Sequence, residues 1–226
     1  GGVTSLIGPN GAGKTTVLNM LSGFYRPTAG GFTLQGRALA GQPAYRLARA
    51  GIARTYQTSQ LFGSLSVEDN VALALCHGRL GSPLAAGRFH APALRAAARA
   101  LLRRCGYVGD TMLPAAGLPH VDRRLVEIAR ALALQPQTLL LDEPAAGLSR
   151  EDKTRLGTLL RSIAGTGIAV LIVEHDMALV MEVSDQVVVL DAGQLLATGT
   201  PAQVRADPAV RRAYLGDGAG AAGGWA

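Results

Sequence analysis

Short apolar runs and helical segments alternate in the first and last parts of the chain. Residues 3–7 are a short apolar run with β-forming residues, 138–141 read as a continuous apolar strand, and 168–173 are apolar, as is typical of strands buried in a sheet. Helical periodicity follows the first run as far as residue 21 and occupies residues 151–164 after the second. Because strands and helices alternate in this way, the pattern predicts an α/β fold with a parallel sheet covered on both faces.

Two further local patterns belong to this α/β part of the chain. Residues 186–190 and 194–197 are strand-like and flank a turn at residues 191–193, which predicts a β-hairpin. Residues 43–50 are expected to form a short helix. Pro43 suits the first turn of that helix, where a backbone N–H has no intrahelical partner.

The middle of the chain, residues 61–124, has a different composition, with alanine, leucine and arginine at helical spacing. Ser66, followed by an acid three positions later, is typical of the start of a helix. Another helix is expected over residues 94–105, with Arg95 and Arg99 on its solvated face. The middle region is therefore predicted to be an inserted α-helical subdomain.

The predicted domain organisation follows from this change of composition. Residues 1–60 and 125–215 are expected to form the two parts of the core, and residues 61–124 the helical subdomain. Residues 216–226 are rich in glycine and alanine and are expected to form a flexible tail. Because the chain begins with Gly1 and not with methionine, we expect it to be truncated at its N-terminus.

Composition and charge narrow the classes of function. Of the 226 residues, 22 are basic and 16 acidic, and the hydrophobic fraction of 48% excludes a disordered chain. No apolar run approaches the roughly 18 residues of a membrane-spanning helix. Two cysteines are too few for a disulfide framework, which fits a reducing compartment. One tryptophan, five tyrosines and four phenylalanines offer little for stacking on bases, so no nucleic-acid partner is expected.

The strongest chemical signal is GPNGAGKT at residues 8–15, which fits the pattern G-x-x-x-x-G-K-[ST] between a strand and a helix. Its glycines allow successive backbone N–H groups to point at phosphate oxygens, and the helix adds partial positive charge at its N-terminus. Lys14 is expected to reach the β- and γ-phosphates of ATP, and the Thr15 hydroxyl to bind Mg²⁺. The expected nucleotide-binding residues are Gly8, Pro9, Asn10, Gly11, Ala12, Gly13, Lys14, Thr15 and Thr16.

Four further polar residues lie at or just after the ends of predicted strands. Asp142 and Glu143 end an apolar run, and we expect the first to support Mg²⁺ and the second to deprotonate an attacking water. His175 follows another buried strand and is a candidate contact to the γ-phosphate. Gln57, just before the helical insert, is expected to reach Mg²⁺ or the attacking water.

The order of these features, a phosphate loop, a glutamine, an Asp–Glu pair and a histidine, resembles the ATP-binding subunit of ABC transporters over nearly the whole of residues 2–216. The segments that resemble more specifically the branch for uptake of branched-chain, hydrophobic amino acids are SGFYRPTAG (22–30), GIARTYQ (51–57), LLLDEPAAGLS (139–149), VEHDM (173–177) and GTPAQVRADPAV (199–210). The resemblance implies a P-loop NTPase (RecA-like) core with a parallel sheet and an inserted α-helical subdomain.

The resemblance also implies a mechanism and partners. Two such subunits, in a homo- or heterodimer, would sandwich two ATP molecules with Mg²⁺ and hydrolyse them, and a transmembrane permease docked near the helical insert would follow their motion. An extracytoplasmic substrate-binding protein would take part indirectly. The subunit would lie peripherally at the cytoplasmic face of the inner (plasma) membrane. Family members carry upstream strands with an aromatic residue that stacks on adenine, so we expect weak ATP binding by this chain alone.

The resemblance is weakest at residues 118–122, where the family carries glycines before a helix. Here Pro119 has no N–H to donate, Val121 is β-branched, and Asp122 adds negative charge. Two interpretations stay open: the branch tolerates a loose signature, or this subunit contributes a weakened half-site to its partner. The second leads to an alternative function, a hydrolysis-impaired ABC-type subunit with a structural or regulatory role beside an active partner ATPase. Ser149 stands where the family often has aspartate.

Overall fold

The computed structural model describes residues 1–57, 60–76 and 89–215. They form two compact units, one of Gly1–Arg54 together with residues 137–215, and one of Thr55–Pro136. The first unit is therefore formed by two separate stretches of the chain, and the second unit is inserted between them. The tail predicted at residues 216–226 lies outside the described residues.

The first unit begins with β1 (Gly2–Ile7), α1 (Lys14–Leu21), β2 (Thr33–Leu34), β3 (Arg37–Ala38), α2 (Ala44–Arg49) and β4 (Ile52–Arg54). The second unit contains α3 (Val67–Leu75), α4 (Pro92–Arg104), a 3₁₀ turn (Ala115–Gly117) and α5 (His120–Leu132). The first unit resumes with β5 (Thr138–Asp142), α6 (Arg150–Gly165), β6 (Ala169–Val173), α7 (Met177–Val183), β7 (Gln186–Asp191), β8 (Gln194–Gly199), α8 (Pro201–Ala206) and α9 (Pro208–Leu215). None of the helices in these described parts is long and apolar enough to cross a membrane.

A six-stranded sheet runs through the described part of the first unit in the order β4-β5-β6-β1-β7-β8. All neighbouring strands are parallel except β7 and β8, which form the predicted hairpin. The register places Leu6 opposite Val173, and Val173 opposite Asp142, so that β1, β6 and β5 end level with one another. The predicted α/β fold with a mainly parallel sheet is confirmed.

Helices cover both faces of this sheet. Leu6 and Ile7 are neighbours on β1, and because successive strand residues point to opposite faces, they join two different apolar clusters. The first cluster includes Leu18 of α1 and Leu47 of α2. The second cluster draws on α7, α8 and α9, with Val210 among its fully buried members. Burial on both faces explains why the strands read as continuous apolar runs in the sequence.

A buried acid, Glu68, links the helices of the second unit. Glu68 is 2% exposed, and its carboxylate accepts hydrogen bonds from Arg99 at 3.0 Å and from the Thr111 hydroxyl at 3.2 Å. Arg95 lies 3.7 Å from the same carboxylate. The prediction of a solvated face for Arg95 and Arg99 is therefore corrected, because this part of α4 pairs with α3.

The second unit extends further along the chain than the predicted residues 61–124. α5 packs against α3 and α4, and Arg124 donates a hydrogen bond to the Tyr56 carbonyl oxygen at 3.1 Å. Arg124 also forms an ion pair with Glu127 at 2.9 Å. Residues 125–136, which the change of composition predicts to be part of the core, therefore lie with the helices of the second unit.

Two helix starts in the first unit are set by the residue just outside the helix. Pro43 precedes α2 as its N-cap, with φ −68° and ψ 154°, and does not lie in the first turn as predicted. Ser149 is the N-cap of α6, and its hydroxyl oxygen accepts a hydrogen bond from the Asp152 N–H at 3.1 Å. Serine and aspartate serve equally well in this capping role, which accounts for a serine at this position.

Replacing Leu160 by alanine tests the core of the first unit. Leu160 is fully buried on α6, so the change leaves a cavity, and we expect the free energy of unfolding to fall by about 2–5 kcal/mol. Leu195 on β8 is 63% exposed, and its replacement by alanine is expected to change this free energy by about 0.5 kcal/mol or less. Denaturant unfolding followed by circular dichroism measures both variants. Equal losses in the two would contradict this description of the core.

Candidate functional site

Three loops open from one edge of the sheet in the first unit. Residues 8–13 follow β1, Asp142 and Glu143 lie at the end of β5, and His175 lies two positions beyond β6. Because β1, β6 and β5 end level with one another, these loops begin side by side. The carboxyl edge of such a sheet is where α/β proteins bind ligands.

The loop of residues 8–13 has the backbone geometry of an anion cradle. The Ala12 N–H closes a turn by donating to the Pro9 carbonyl oxygen at 3.2 Å. Gly13 is the N-cap of α1, with φ 95°, and offers no side chain to cap the first helical N–H groups. Those N–H groups are therefore available to an anion at the positive end of the helix. The exposed side chains beside this cradle are Asn10, Thr15 and Thr16.

Lys14 connects the cradle with the acidic residues at the end of β5. Its Nζ donates hydrogen bonds to the carbonyl oxygens of Gly8 and Pro9 at 2.8 and 2.9 Å. Burial lowers the pKa of Lys14, and the negative charges of Glu143 and Asp142 oppose this shift. The structure thus brings the ammonium group within electrostatic reach of both carboxylates.

A buried ion pair fixes Asp142 at the end of β5. Arg54, the last residue of β4, donates to Asp142 Oδ2 at 2.9 Å, and the two side chains are only 6% and 7% exposed. The same guanidinium group donates to Asn19 Oδ1 at 2.7 Å and to the Ser22 hydroxyl at 2.8 Å. Arg54 therefore holds one oxygen of Asp142 in place. The other oxygen, Oδ1, accepts no hydrogen bond from the part of the chain that the structure describes.

Glu143 has an unusual backbone conformation for a glutamate. Its φ of 45° lies in the left-handed region, which costs about 1–3 kcal/mol for a residue with a side chain. Its N–H donates to the Val173 carbonyl oxygen at 2.9 Å and so ties the turn to the end of β6. His175 Nδ1 lies 3.9 Å from Glu143 Oε1, and the two side chains are 63% and 27% exposed. Strain of this kind concentrates at functional sites.

The residues at this edge fit a magnesium ion. Mg²⁺ takes oxygen ligands in near-octahedral geometry and keeps several of its waters. Thr15 offers a hydroxyl group in the first turn of α1, and Asp142 offers the oxygen that Arg54 does not engage. Gln57, the third predicted ligand, belongs to the second unit, where its side chain is exposed. Its role toward Mg²⁺ or the attacking water stays a prediction.

Residues 118–122 lead into the second unit's α5, which begins at His120. Pro119 is the N-cap and gives the helix no side-chain hydrogen bond, and Asp122 lies in the first turn. Arg123 donates to the Leu118 carbonyl oxygen at 3.1 Å. The segment therefore presents the N-terminus of a 13-residue helix, and its contribution to a partner's phosphate site stays a prediction.

Two buried charged residues near these loops escape prediction from the sequence. Arg54 ends β4 directly before the second unit, and Glu174, which is 1% exposed, separates β6 from His175. In the sequence, each of the two appears as a charged residue at the end of an apolar strand, on the edge of the sheet where ligands bind. The same pattern is typical of a solvated strand end, so it does not single out either residue.

Removing the partner of Asp142 should destabilise the first unit. Arg54→Met keeps most of the side-chain volume but leaves a buried carboxylate without its counter-charge, and we expect the free energy of unfolding to fall by about 3–5 kcal/mol. Arg155→Met is the control, since it removes a 3.6 Å pair with Asp152 on the exposed side of α6 and should cost about 1 kcal/mol or less. Denaturant unfolding without nucleotide measures both. A native midpoint for Arg54→Met would mean that the pair does not contribute to stability.

Comparison with known proteins agrees with this geometry. A family model described as ABC transporter matches residues 1–146, and one described as branched-chain amino acid ATP-binding cassette transporter matches residues 194–220. The high-affinity branched-chain amino acid transport ATP-binding protein LivG of Salmonella typhimurium is 43% identical over 223 residues, which cover 95% of this chain and 87% of LivG. The high-affinity branched-chain amino acid transport ATP-binding protein BraF of Pseudomonas aeruginosa is 40% identical over 223 residues, with the same shares of the two chains covered.

Solved structures give the same result. The chain superposes on a nucleotide-free ATP-binding cassette from an ABC transporter with a TM-score of 0.83 and 28% identity, covering 96% of this chain and 88% of that one. An ADP-bound conformation of an ATP-binding cassette matches with the same TM-score, identity and coverage. These matches and the loops at the carboxyl edge of the sheet show that the chain belongs to the ABC transporter family, as a nucleotide-binding ATPase subunit of its branched-chain amino-acid branch.

Proposed function

We propose that this chain hydrolyses ATP to drive the import of branched-chain amino acids through a transmembrane permease. The observation that carries the proposal is the meeting of the phosphate loop, Asp142, Glu143 and His175 at one edge of the sheet. The cargo is inferred from LivG and BraF, which are named as branched-chain amino acid transport proteins. The match of residues 194–220 to the model of that branch supports the same class of cargo.

In this proposal the phosphate loop, residues 8–16, binds the triphosphate of ATP. Its backbone N–H groups and the N-terminus of α1 stabilise the negative charge of the phosphates. Lys14 exchanges the carbonyl oxygens of Gly8 and Pro9 for oxygens of the β- and γ-phosphates. Because the ammonium group is partly buried, less water screens its charge than at an exposed lysine, and its attraction to phosphate is stronger.

Thr15 and Asp142, together with Gln57, would hold Mg²⁺. The ion neutralises charge on the β- and γ-phosphates when it is bound. Arg54 fixes one oxygen of Asp142 and leaves the other for the metal. A carboxylate held in this way suits Mg²⁺, because this ion demands near-ideal ligand geometry.

Glu143 acts as the general base. A water between its carboxylate and the γ-phosphate transfers a proton to the carboxylate as the water oxygen attacks phosphorus. The bond from phosphorus to the oxygen that bridges to the β-phosphate breaks in the same step, and ADP leaves with the electron pair of that bond. His175, with Nδ1 3.9 Å from Glu143 Oε1, donates a hydrogen bond to the γ-phosphate and so sets the direction of attack. Gln57 would contact the same water or the metal. The side chains of His175 and Glu143 are both accessible to solvent, so a water can lie against the glutamate carboxylate.

Two ATP-binding subunits, identical or related, would enclose two ATP molecules between them. The start of α5 in one subunit would face the phosphates held by the other, since a helix N-terminus attracts anions. ATP closes the pair because it contacts the closed state better than the open one. A permease follows this motion, and an extracytoplasmic substrate-binding protein delivers the amino acid. The chain would then lie peripherally at the cytoplasmic face of the inner (plasma) membrane.

The alternative of a hydrolysis-impaired subunit has no support in the comparisons. LivG and BraF are named as transport ATP-binding proteins. In addition, Glu143 and His175 lie close together in this chain. The departures at residues 118–122 concern a site completed with a partner and leave the chain's own base and histidine in place.

Glu143→Gln tests the role of the general base, because it removes the basic oxygen and keeps the side-chain volume. We expect ATP hydrolysis by the purified protein to slow by about 10²–10⁴-fold, while the affinity for ATP changes by less than about threefold. Glu151→Gln, at the exposed start of α6, is the matched control and should hydrolyse ATP at the native rate. Phosphate release and binding of a fluorescent ATP analogue are the measurements. Unchanged turnover in Glu143→Gln would remove Glu143 from this role.

The cargo is tested in cells of the source organism that carry Glu143→Gln in place of the native chain. Uptake of radiolabelled leucine, isoleucine and valine at low external concentration is expected to fall to the level of a deletion strain, because the permease is no longer driven. Cells carrying Glu151→Gln should take up all three at the native rate. If the purified variant has lost ATP hydrolysis and leucine uptake is nevertheless normal, the proposed cargo is wrong.

A further inference from the structure

Glu174 is a buried carboxylate between the loops that carry Glu143 and His175. It follows β6 directly and is 1% exposed. Its Oε1 accepts a hydrogen bond from the Ala145 N–H at 2.7 Å. Its Oε2 accepts hydrogen bonds from the N–H groups of His175 at 3.2 Å and Asp176 at 3.4 Å. One side chain thus receives hydrogen bonds from the backbone of both loops.

The charge of Glu174 is stabilised by backbone amides. Within residues 1–57, 60–76 and 89–215, no arginine or lysine forms an ion pair with it. Burial raises the pKa of this carboxyl group, and the N–H groups of Ala145, Asp176 and His175 lower it. A buried carboxylate is unfavourable unless its oxygens are hydrogen-bonded. The Glu174 carboxylate therefore keeps its stabilising hydrogen bonds only while both loops keep their positions.

The loop that carries His175 also makes contacts with α6 and α7. Asp176 caps α7 by accepting a hydrogen bond from the Leu179 N–H at 3.0 Å, and it forms an ion pair with Lys153 of α6 at 2.6 Å. These contacts anchor the loop to helices. A side chain also joins this loop to the loop after β5, because the Glu174 carboxylate accepts the hydrogen bond from the Ala145 N–H.

We propose that Glu174 is a positioning residue that fixes the Glu143 carboxylate relative to the His175 imidazole. The inference rests on the catalytic roles proposed for those two residues. Ala145 lies two positions after Glu143, and His175 directly follows Glu174, so a shift of either loop is passed to the other through the shared carboxylate. The attacking water keeps its direction toward the γ-phosphate as a result, and a misplacement of about 1 Å can lower a rate by about 10²-fold.

Glu174→Gln is the first test. The glutamine keeps the shape of the side chain but replaces one acceptor oxygen by an NH₂ group, which cannot accept a hydrogen bond from a backbone N–H. One of the two loops therefore loses its contact. We expect kcat for ATP hydrolysis to fall by about 10–100-fold, with KM and the affinity for a fluorescent ATP analogue within about threefold of native. Glu151→Gln is the matched control at an exposed position.

A double variant separates positioning from a general structural role. If Glu174 acts through Glu143, adding Glu174→Gln to Glu143→Gln should lower turnover by less than about twofold further, because residues that act as a unit are not additive. A multiplicative loss would overturn the proposal. So would a parallel fall in ATP affinity and in the melting temperature measured without nucleotide, or a kcat of Glu174→Gln within about twofold of native.

The same experiment distinguishes this inference from the proposed function. Native turnover in Glu143→Gln would overturn the role of Glu143, and the inference with it. Lost turnover in Glu143→Gln beside native turnover in Glu174→Gln would overturn the inference alone. If Glu174→Gln does not fold, Glu174→Asp takes its place in the test. The aspartate keeps the charge but is shorter by one methylene group, so its carboxylate cannot reach both loops. We expect its kcat to fall about tenfold with native ATP affinity, and a native kcat would again overturn the proposal.

Discussion

The parallel register that sets Leu6, Val173 and Asp142 in one row is the constraint on which the candidate site depends. A slip of one residue between β5 and β6 would turn every side chain of the strand to the opposite face and would carry the Asp142 carboxylate away from the phosphate loop. Leu140 of β5 and Val173 of β6 oppose such a slip, because both pack into the apolar cluster that also contains Leu6 and Leu18. Side chains of this cluster outside the phosphate loop, such as Leu18 and Leu47, therefore help to determine where the ligands of the nucleotide lie.

The fold could be predicted from the sequence as far as local periodicity reaches. The strands β1, β5 and β6 are visible as short, mainly apolar runs, since burial on both faces favours them. The extent of the second unit is not visible in this way. An apolar face on α5 is compatible with either unit, and what assigns the helix is its packing and the hydrogen bond from Arg124 to the Tyr56 carbonyl oxygen, which is remote in sequence. The burial of Glu68 against Arg99 likewise depends on two helices that meet only in the folded chain.

At the candidate site, spacing predicts the residues whose chemistry is local. A glycine-rich turn before a helix and two acids at a strand end need no tertiary information, so Lys14, Asp142 and Glu143 could be identified from the sequence. Arg54 and Glu174 could not, because their significance comes from partners that the sheet brings to them. A charged residue beside an apolar strand reads the same whether it is solvated or buried, and charged side chains are rarely buried unless paired.

Both covalent connections to the unit Thr55–Pro136 leave the first unit from neighbouring strands. β4 ends at Arg54 just before that unit, β5 begins just after it, and the two strands pair over three residues only, with the Gln137 N–H bonded to the Gly51 carbonyl oxygen at 2.8 Å. A force that reaches the first unit through these connections therefore acts first on β4 and β5. The ends of these two strands carry Arg54 and Asp142, so mechanical load is delivered directly to the counter-ion of the carboxylate proposed to bind Mg²⁺.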